Sequence, residues 1–216
     1  MKPRKPTGTT GPVKVTMSSE GPSVAFERLP FPRTKEEVEA VIVSGFLRSA
    51  QSCGWLPSTA QVKQNPQDDF DFTLTGCGNG KHLELMEIAP LEHLRGTYDK
   101  APTSYRPYDF AAHILGKLKG KSARYASSSG EELLLLMYVT DWRFTLSETV
   151  IALLQYWTAS QAHSFGAVYC YSPITREEGI VHVIHPTPME HWTGFDPERY
   201  RENFVHNLSP LDWKPA

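Results

Sequence analysis

Five carboxylates, Asp68, Asp69, Asp71, Glu84 and Glu87, fall within the stretch QDDFDFTLTGCGNGKHLELMEIAP, residues 67 to 90. Most of its other residues are those of a buried β-hairpin. Phe70, Phe72 and Leu74 alternate with Asp69, Asp71 and Thr73, GCGNG supplies a turn, and Leu83 and Leu85 alternate with Glu84 and Met86. Clustered acids repel, and a buried unpaired charge is very costly, so such a group needs a cation, a proton or a basic partner. A divalent metal meets that need. Mg²⁺ takes one or two carboxylates with waters and phosphate oxygens, and can activate water for phosphodiester cleavage; Mn²⁺ would serve similarly.

Hairpin register decides which acids meet, because side chains alternate across a strand. An even-residue loop centred on Asn79-Gly80 sets Asp71 across from Ile88 or Met86 and puts Asp69, Asp71, Glu84 and Met86 on one face. Phe70, Phe72, Leu74, Leu83 and Leu85 then share the other. An odd-residue loop would instead give Asp71 and Glu87 a common face. Asn-Gly is the preferred pair for a two-residue turn and favours the even loop. Asp71 and Glu84 are therefore the leading metal ligands, with Glu87 as a third. The competing expectation is a plain solvated face of an antiparallel hairpin.

The elements around the hairpin follow from periodicity and punctuation. Thr34 and Glu37 form a capping box ahead of a helix whose Val38, Val41, Ile42, Gly45, Phe46 and Ser49 share a face until Gly54. A short strand is expected near residues 59 to 63. Phe110, Ala111, Ile114, Leu115 and Leu118 mark a second helix, closed by Gly120. Residues 132 to 141 (ELLLLMYVTD) read as a central strand covered on both faces. Thr145 and Glu148 cap a third helix. Residues 165 to 171 and 179 to 186 read as two further strands, and Tyr200, Phe204 and Leu208 as the stripe of a short terminal helix. Helices interleaved with strands predict an α/β fold with a mixed sheet. Residues 1 to 23 read as a flexible tail, 24 to 190 as a single domain, and 191 to 216 as an extension packed on it; Met17 is a second candidate start.

The order helix, hairpin, helix, strand, helix, strand, with an Asp at the end of one hairpin strand and a Glu in the middle of the next, resembles the restriction-endonuclease-like superfamily, the PD-(D/E)xK nucleases. The resemblance spans residues 34 to 171. It implies Mg²⁺ held by Asp71 and Glu84, and a lysine that orients the attacking water. Two residues beyond Glu84, where that lysine usually stands, the chain has Met86. Some members carry the lysine on the next helix, which makes Lys117 and Lys119 the candidates. Without a working lysine, the resemblance implies a catalytically silent domain binding nucleic acid or a protein.

Composition bounds the rest. The chain has 216 residues, 40% hydrophobic, with a net charge of −2, so any nucleic-acid partner must be held by a local patch. From residue 95 to 124 there are seven basic residues against two acidic ones, interleaved with Tyr98, Tyr105 and Tyr108. Arg95, Lys100, Tyr105 and Arg106 are the candidate substrate contacts. Cys53, Cys77 and Cys170 form no CxxC pair, which argues against a disulfide framework or structural zinc. No long apolar run or hydrophobic leader is present, so a cytoplasmic protein is expected, as is a homodimer by the resemblance. A third reading makes the acidic face a docking surface, with Trp192 and Trp213 as anchors.

Overall fold

The computed structural model describes residues 8–19, 21–65, 70–78, 80–89, 104–125 and 132–206. Its centre is a six-stranded mixed sheet with helices on both faces. In chain order the elements are β1 (Val13–Ser18), β2 (Gly21–Phe26), α1 (Lys35–Ser52), β3 (Gln61–Gln64), β4 (Phe72–Thr75), β5 (Lys81–Glu87) and β6 (Ser104–Tyr105). Then come α2 (Pro107–Ser122), β7 (Leu133–Tyr138), α3 (Glu148–Ser160), β8 (Ala167–Pro173), β9 (Gly179–His185) and β10 (Val205–His206). The sheet order is β3-β4-β5-β7-β8-β9. Strands β3, β4 and β5 form an antiparallel meander. Strands β5, β7 and β8 are parallel, joined by crossovers that contain α2 and α3, and β9 returns antiparallel.

The alternation of strand side chains divides the core in two. Leu134, Leu136 and Tyr138 of β7 pack with Phe72, Leu74, Leu83, Leu85 and the buried stripe of α1. Leu133, Leu135 and Met137 face α2 and α3 instead, against Ile114, Leu118, Val150 and Leu154. All six residues of β7 are buried, as the unbroken apolar run predicts. The Thr34–Glu37 capping box closes both ways at the start of α1. On that helix Val43 is buried where Val41 was expected, and Gly54, at φ +74°, follows its end.

Four expectations are corrected. Part of the tail forms a hairpin: Val13–Ser18 pairs with Gly21–Phe26. Its base is tied down where Thr9 N–H donates to the Asp141 carboxylate (2.9 Å) and Trp142 N–H donates to the Thr9 carbonyl (2.8 Å). At α3 the N-cap is Ser147, whose Oγ accepts from Val150 N–H, while Thr145 ends a 3₁₀ turn over residues 142–144. Helix α2 runs through Gly120 to Ser122 and continues as a 3₁₀ turn to Tyr125. The C-terminal segment makes two 3₁₀ turns, 189–192 and 197–200, before β10 pairs with β6; Leu208 and Trp213 lie outside the described residues.

The β4–β5 turn depends on Gly76. Its φ is +77°, and a Cβ there would run into the Thr59 carbonyl oxygen. Gly76→Ala combines left-handed strain with a backbone clash, so a loss of about 2 kcal/mol is expected, read as a melting temperature lower by about 4 to 8 °C. An unchanged melting curve would show that the turn relaxes freely.

Candidate functional site

The hairpin register brings the acids closer than the Asn79-Gly80 turn would. Phe72 pairs with Leu83 and Leu74 with Lys81, so the next step along the ladder sets Asp71 level with Glu84 rather than with Ile88 or Met86. The parity of the expected even loop is kept: Phe72, Leu74, Leu83 and Leu85 share the α1 face, and Glu84 and Met86 take the other. Phe70 departs from that pattern. It stacks between His82 (ring centroids 4.1 Å, 15°) and Tyr125 (5.4 Å, 23°), on the face that carries Glu84.

Glu84 is 4% exposed, on a strand between apolar neighbours. Its charge is met by the end of α2. Lys121 Nζ lies 2.5 Å from Glu84 Oε2, and Tyr125 Oη donates to Oε1 at 2.7 Å. Asp71 Oδ2 accepts from Leu85 N–H at 2.8 Å, which pins that carboxylate to the backbone beside Glu84. Burial first, then the hydrogen bond to Glu84 and the charges of Glu84 and Asp71, push the Tyr125 phenol well above its ordinary range. Tyr125 is therefore a protonated donor at neutral pH, under the influence of both acids.

Lys121 and Tyr125 were missed in the sequence, yet a signal is there. Ile114, Leu118, Lys121 and Tyr125 follow an i, i+4, i+7, i+11 stripe, the spacing of one helix face. Ending the helix at Gly120 hides it. The two lysines expected to serve do otherwise: Lys117 Nζ donates to the Ala89 carbonyl at 2.9 Å, and Lys119 is exposed. Glu87 lies on the opposite parity from Glu84 and accepts from Thr140 Oγ1 at 2.7 Å, so it does not join the Asp71–Glu84 pair. Among the substrate candidates, Tyr105 packs on Phe110 and Arg106 pairs with Glu202 at the start of α2. Fifteen residues, about 22 Å of helix axis, separate Arg106 from Lys121. Arg95, Lys100, Asp68 and Asp69 lie outside the described residues.

Among the described residues no three His, Cys, Asp or Glu side chains are grouped to hold a metal ion. Two hard carboxylates remain, the number and chemistry that Mg²⁺ uses when waters and phosphate oxygens complete its shell. The donor set fits that ion and not structural zinc, which wants four soft or nitrogen ligands. Fit requires Glu84 to share its oxygens with Lys121 and Tyr125.

A pair of histidines lies away from this cluster. His163 and His185 meet edge to face at 4.5 Å near the end of β9, and the Phe165 N–H donates to His163 Nδ1. Burial lowers both from the ordinary value of 6.5, and the charge of His163 lowers His185 further. The unfolded chain therefore binds more protons between 6.5 and the lower folded values, and stability rises with pH through that window. The expected outcome is a urea midpoint that falls from pH 6.5 toward pH 5 and falls less in His163→Asn. Equal slopes in the two proteins would remove the pair from the effect.

The fold and the acid–lysine–tyrosine cluster define a mixed α/β protein with a partly buried polar site on one sheet face. No family model, curated protein or solved structure matches the chain. Among the described residues no helix is long and apolar enough to cross a membrane.

Proposed function

We propose that this chain is a metal-dependent nuclease-like protein, built on a restriction-endonuclease-like core, that hydrolyses phosphodiester bonds. One observation carries the reading: Asp71, just before β4, and Glu84 on β5 both bear on Tyr125, while a lysine from the following helix reaches Glu84. The lysine missing at Met86 has a counterpart in Lys121, four residues beyond Lys117 and on the same helix.

Asp71 and Glu84 are the residues that would hold Mg²⁺ or Mn²⁺, which when bound supplies an activated water and stabilises charge on the leaving oxygen. The Leu85 N–H holds Asp71, and the Tyr125 phenol holds Glu84. Lys121 pairs with Glu84, and its ammonium is a donor that a water or a phosphate oxygen could also meet. Exposed Lys119 and Arg124 add positive charge at the same end of α2, where a nucleic-acid backbone would approach.

A second reading, the catalytically silent domain that binds nucleic acid, is favoured by the engagement of both Glu84 oxygens within the protein. The two separate when plasmid DNA and single-stranded RNA are incubated with the protein in Mg²⁺, Mn²⁺ or chelator. Hydrolysis predicts product with either metal, none with chelator and none from Glu84→Gln. No product in any lane would overturn it, and binding that weakens with salt would then support the silent domain.

A further inference from the structure

Strands β1 and β2 form a ribbon of their own, outside the six-stranded sheet. Its base is fixed: Leu29 is buried and its N–H donates to the Thr10 carbonyl at 2.8 Å, and Glu27 N–H donates to the Pro12 carbonyl at 3.0 Å. Beyond that base all six residues of β1 are exposed. A lone two-stranded hairpin is marginal in water and gains stability when further strands or an apolar partner cover it.

The ribbon is one-sided. Val13, Val15 and Met17 are 46%, 53% and 76% exposed and share a face; their ladder partners are Phe26, Val24 and Pro22, none of them charged. Lys14 and Thr16 take the other face, where Lys14 pairs with Glu27 at 2.9 Å.

The backbone is one-sided too. In an antiparallel ladder, pairs that exchange hydrogen bonds alternate with pairs whose N–H and C=O groups point outward. The Glu27–Pro12 bond sets the phase: Lys14–Ala25, Thr16–Ser23 and Ser18–Gly21 bond inward, and Val13, Val15 and Met17 turn their backbone groups to the outer edge of β1. Among the described residues no strand takes that edge. The outer edge of β2 is blunted, because Pro22, opposite Met17, has no N–H to offer.

We propose that the β1 edge pairs with the β1 edge of a second copy of this chain, antiparallel about a two-fold axis at Val15, to form a four-stranded sheet. A two-fold interface must be self-complementary, and this edge is. Val13 meets Met17 of the second copy and Val15 meets its own counterpart, an apolar row with no charge. Lys14 falls opposite Thr16, so no like charges stand directly across the new ladder. The Pro22 edges lie outermost and stop further addition, which closes the assembly at two chains. Pairing through this arm does not depend on any nuclease activity.

The test is sedimentation of the full chain over concentrations on both sides of about 10 μM, the dissociation constant expected of a small interface. The expected result is a monomer–dimer equilibrium with no larger species. Val15→Lys keeps the edge N–H but sets two like charges together at the axis. Val15→Pro keeps an apolar residue but removes the outward N–H, which takes no part in the β1–β2 ladder, so the melting temperature should hold. Each variant should raise the dissociation constant at least about tenfold. A monomer at every concentration, assemblies larger than a dimer, or a dimer that either variant leaves intact would overturn the proposal.

Discussion

Lys121→Met should destabilise the protein by about 3 kcal/mol, the low end of what breaking a buried ion pair costs. Glu84 is almost wholly buried and the Lys121 side chain only 18% exposed, so solvent screens the pair little. Methionine keeps the bulk of the stem but leaves the Glu84 carboxylate with only the Tyr125 hydroxyl. For a chain of this size the loss should appear as a melting temperature lower by about 6 to 12 °C. Adding Glu84→Gln should return most of it. The glutamine carbonyl still accepts from Tyr125, and no uncompensated charge remains. The cycle of wild type, two single variants and the double variant therefore isolates the pair from its surroundings. If Lys121→Met melts within a degree of the wild type, the ammonium is not what neutralises Glu84.

The same pair shows where sequence reading succeeds and where it stops. Alternation put Glu84 and Met86 on one face and Leu83 and Leu85 on the other, and the capping box at Thr34 and the apolar run at Leu133–Tyr138 each fixed an element. These signals are local, carried by neighbours in the chain. The level at which Asp71 meets Glu84 is a register, set by a turn whose Gly76 and Gly78 adopt positive φ, and a two-residue Asn-Gly hairpin was the wrong template for it. Lys121 was hidden by a different effect. A glycine costs a helix only about 1 kcal/mol, and packing of Leu118 and Ser122 outweighs it, so α2 continues past Gly120. The hairpin at Val13–Phe26 was hidden because its side chains are mostly exposed and leave little mark of burial on the sequence; Val13, Val15 and Met17 all face solvent.

Asp71→Asn should separate chemistry from structure more cleanly than any change at Glu84. Asparagine has the same shape, and its carbonyl oxygen can still accept from Leu85 N–H, so stability should change by about 1 kcal/mol or less. What the substitution removes is a negative charge that bears on Tyr125 and that a divalent cation would need. If hydrolysis depends on that cation, the loss of about 4 kcal/mol of charge stabilisation lowers the rate about a thousandfold, with folding intact. The measurement pairs a melting curve with a cleavage time course in Mn²⁺ on the same preparation. A thousandfold loss in a normally folded variant ties the reaction to Asp71. Cleavage at the wild-type rate would leave Asp71 as a structural anchor for β5 and take the metal site away from this pair of strands.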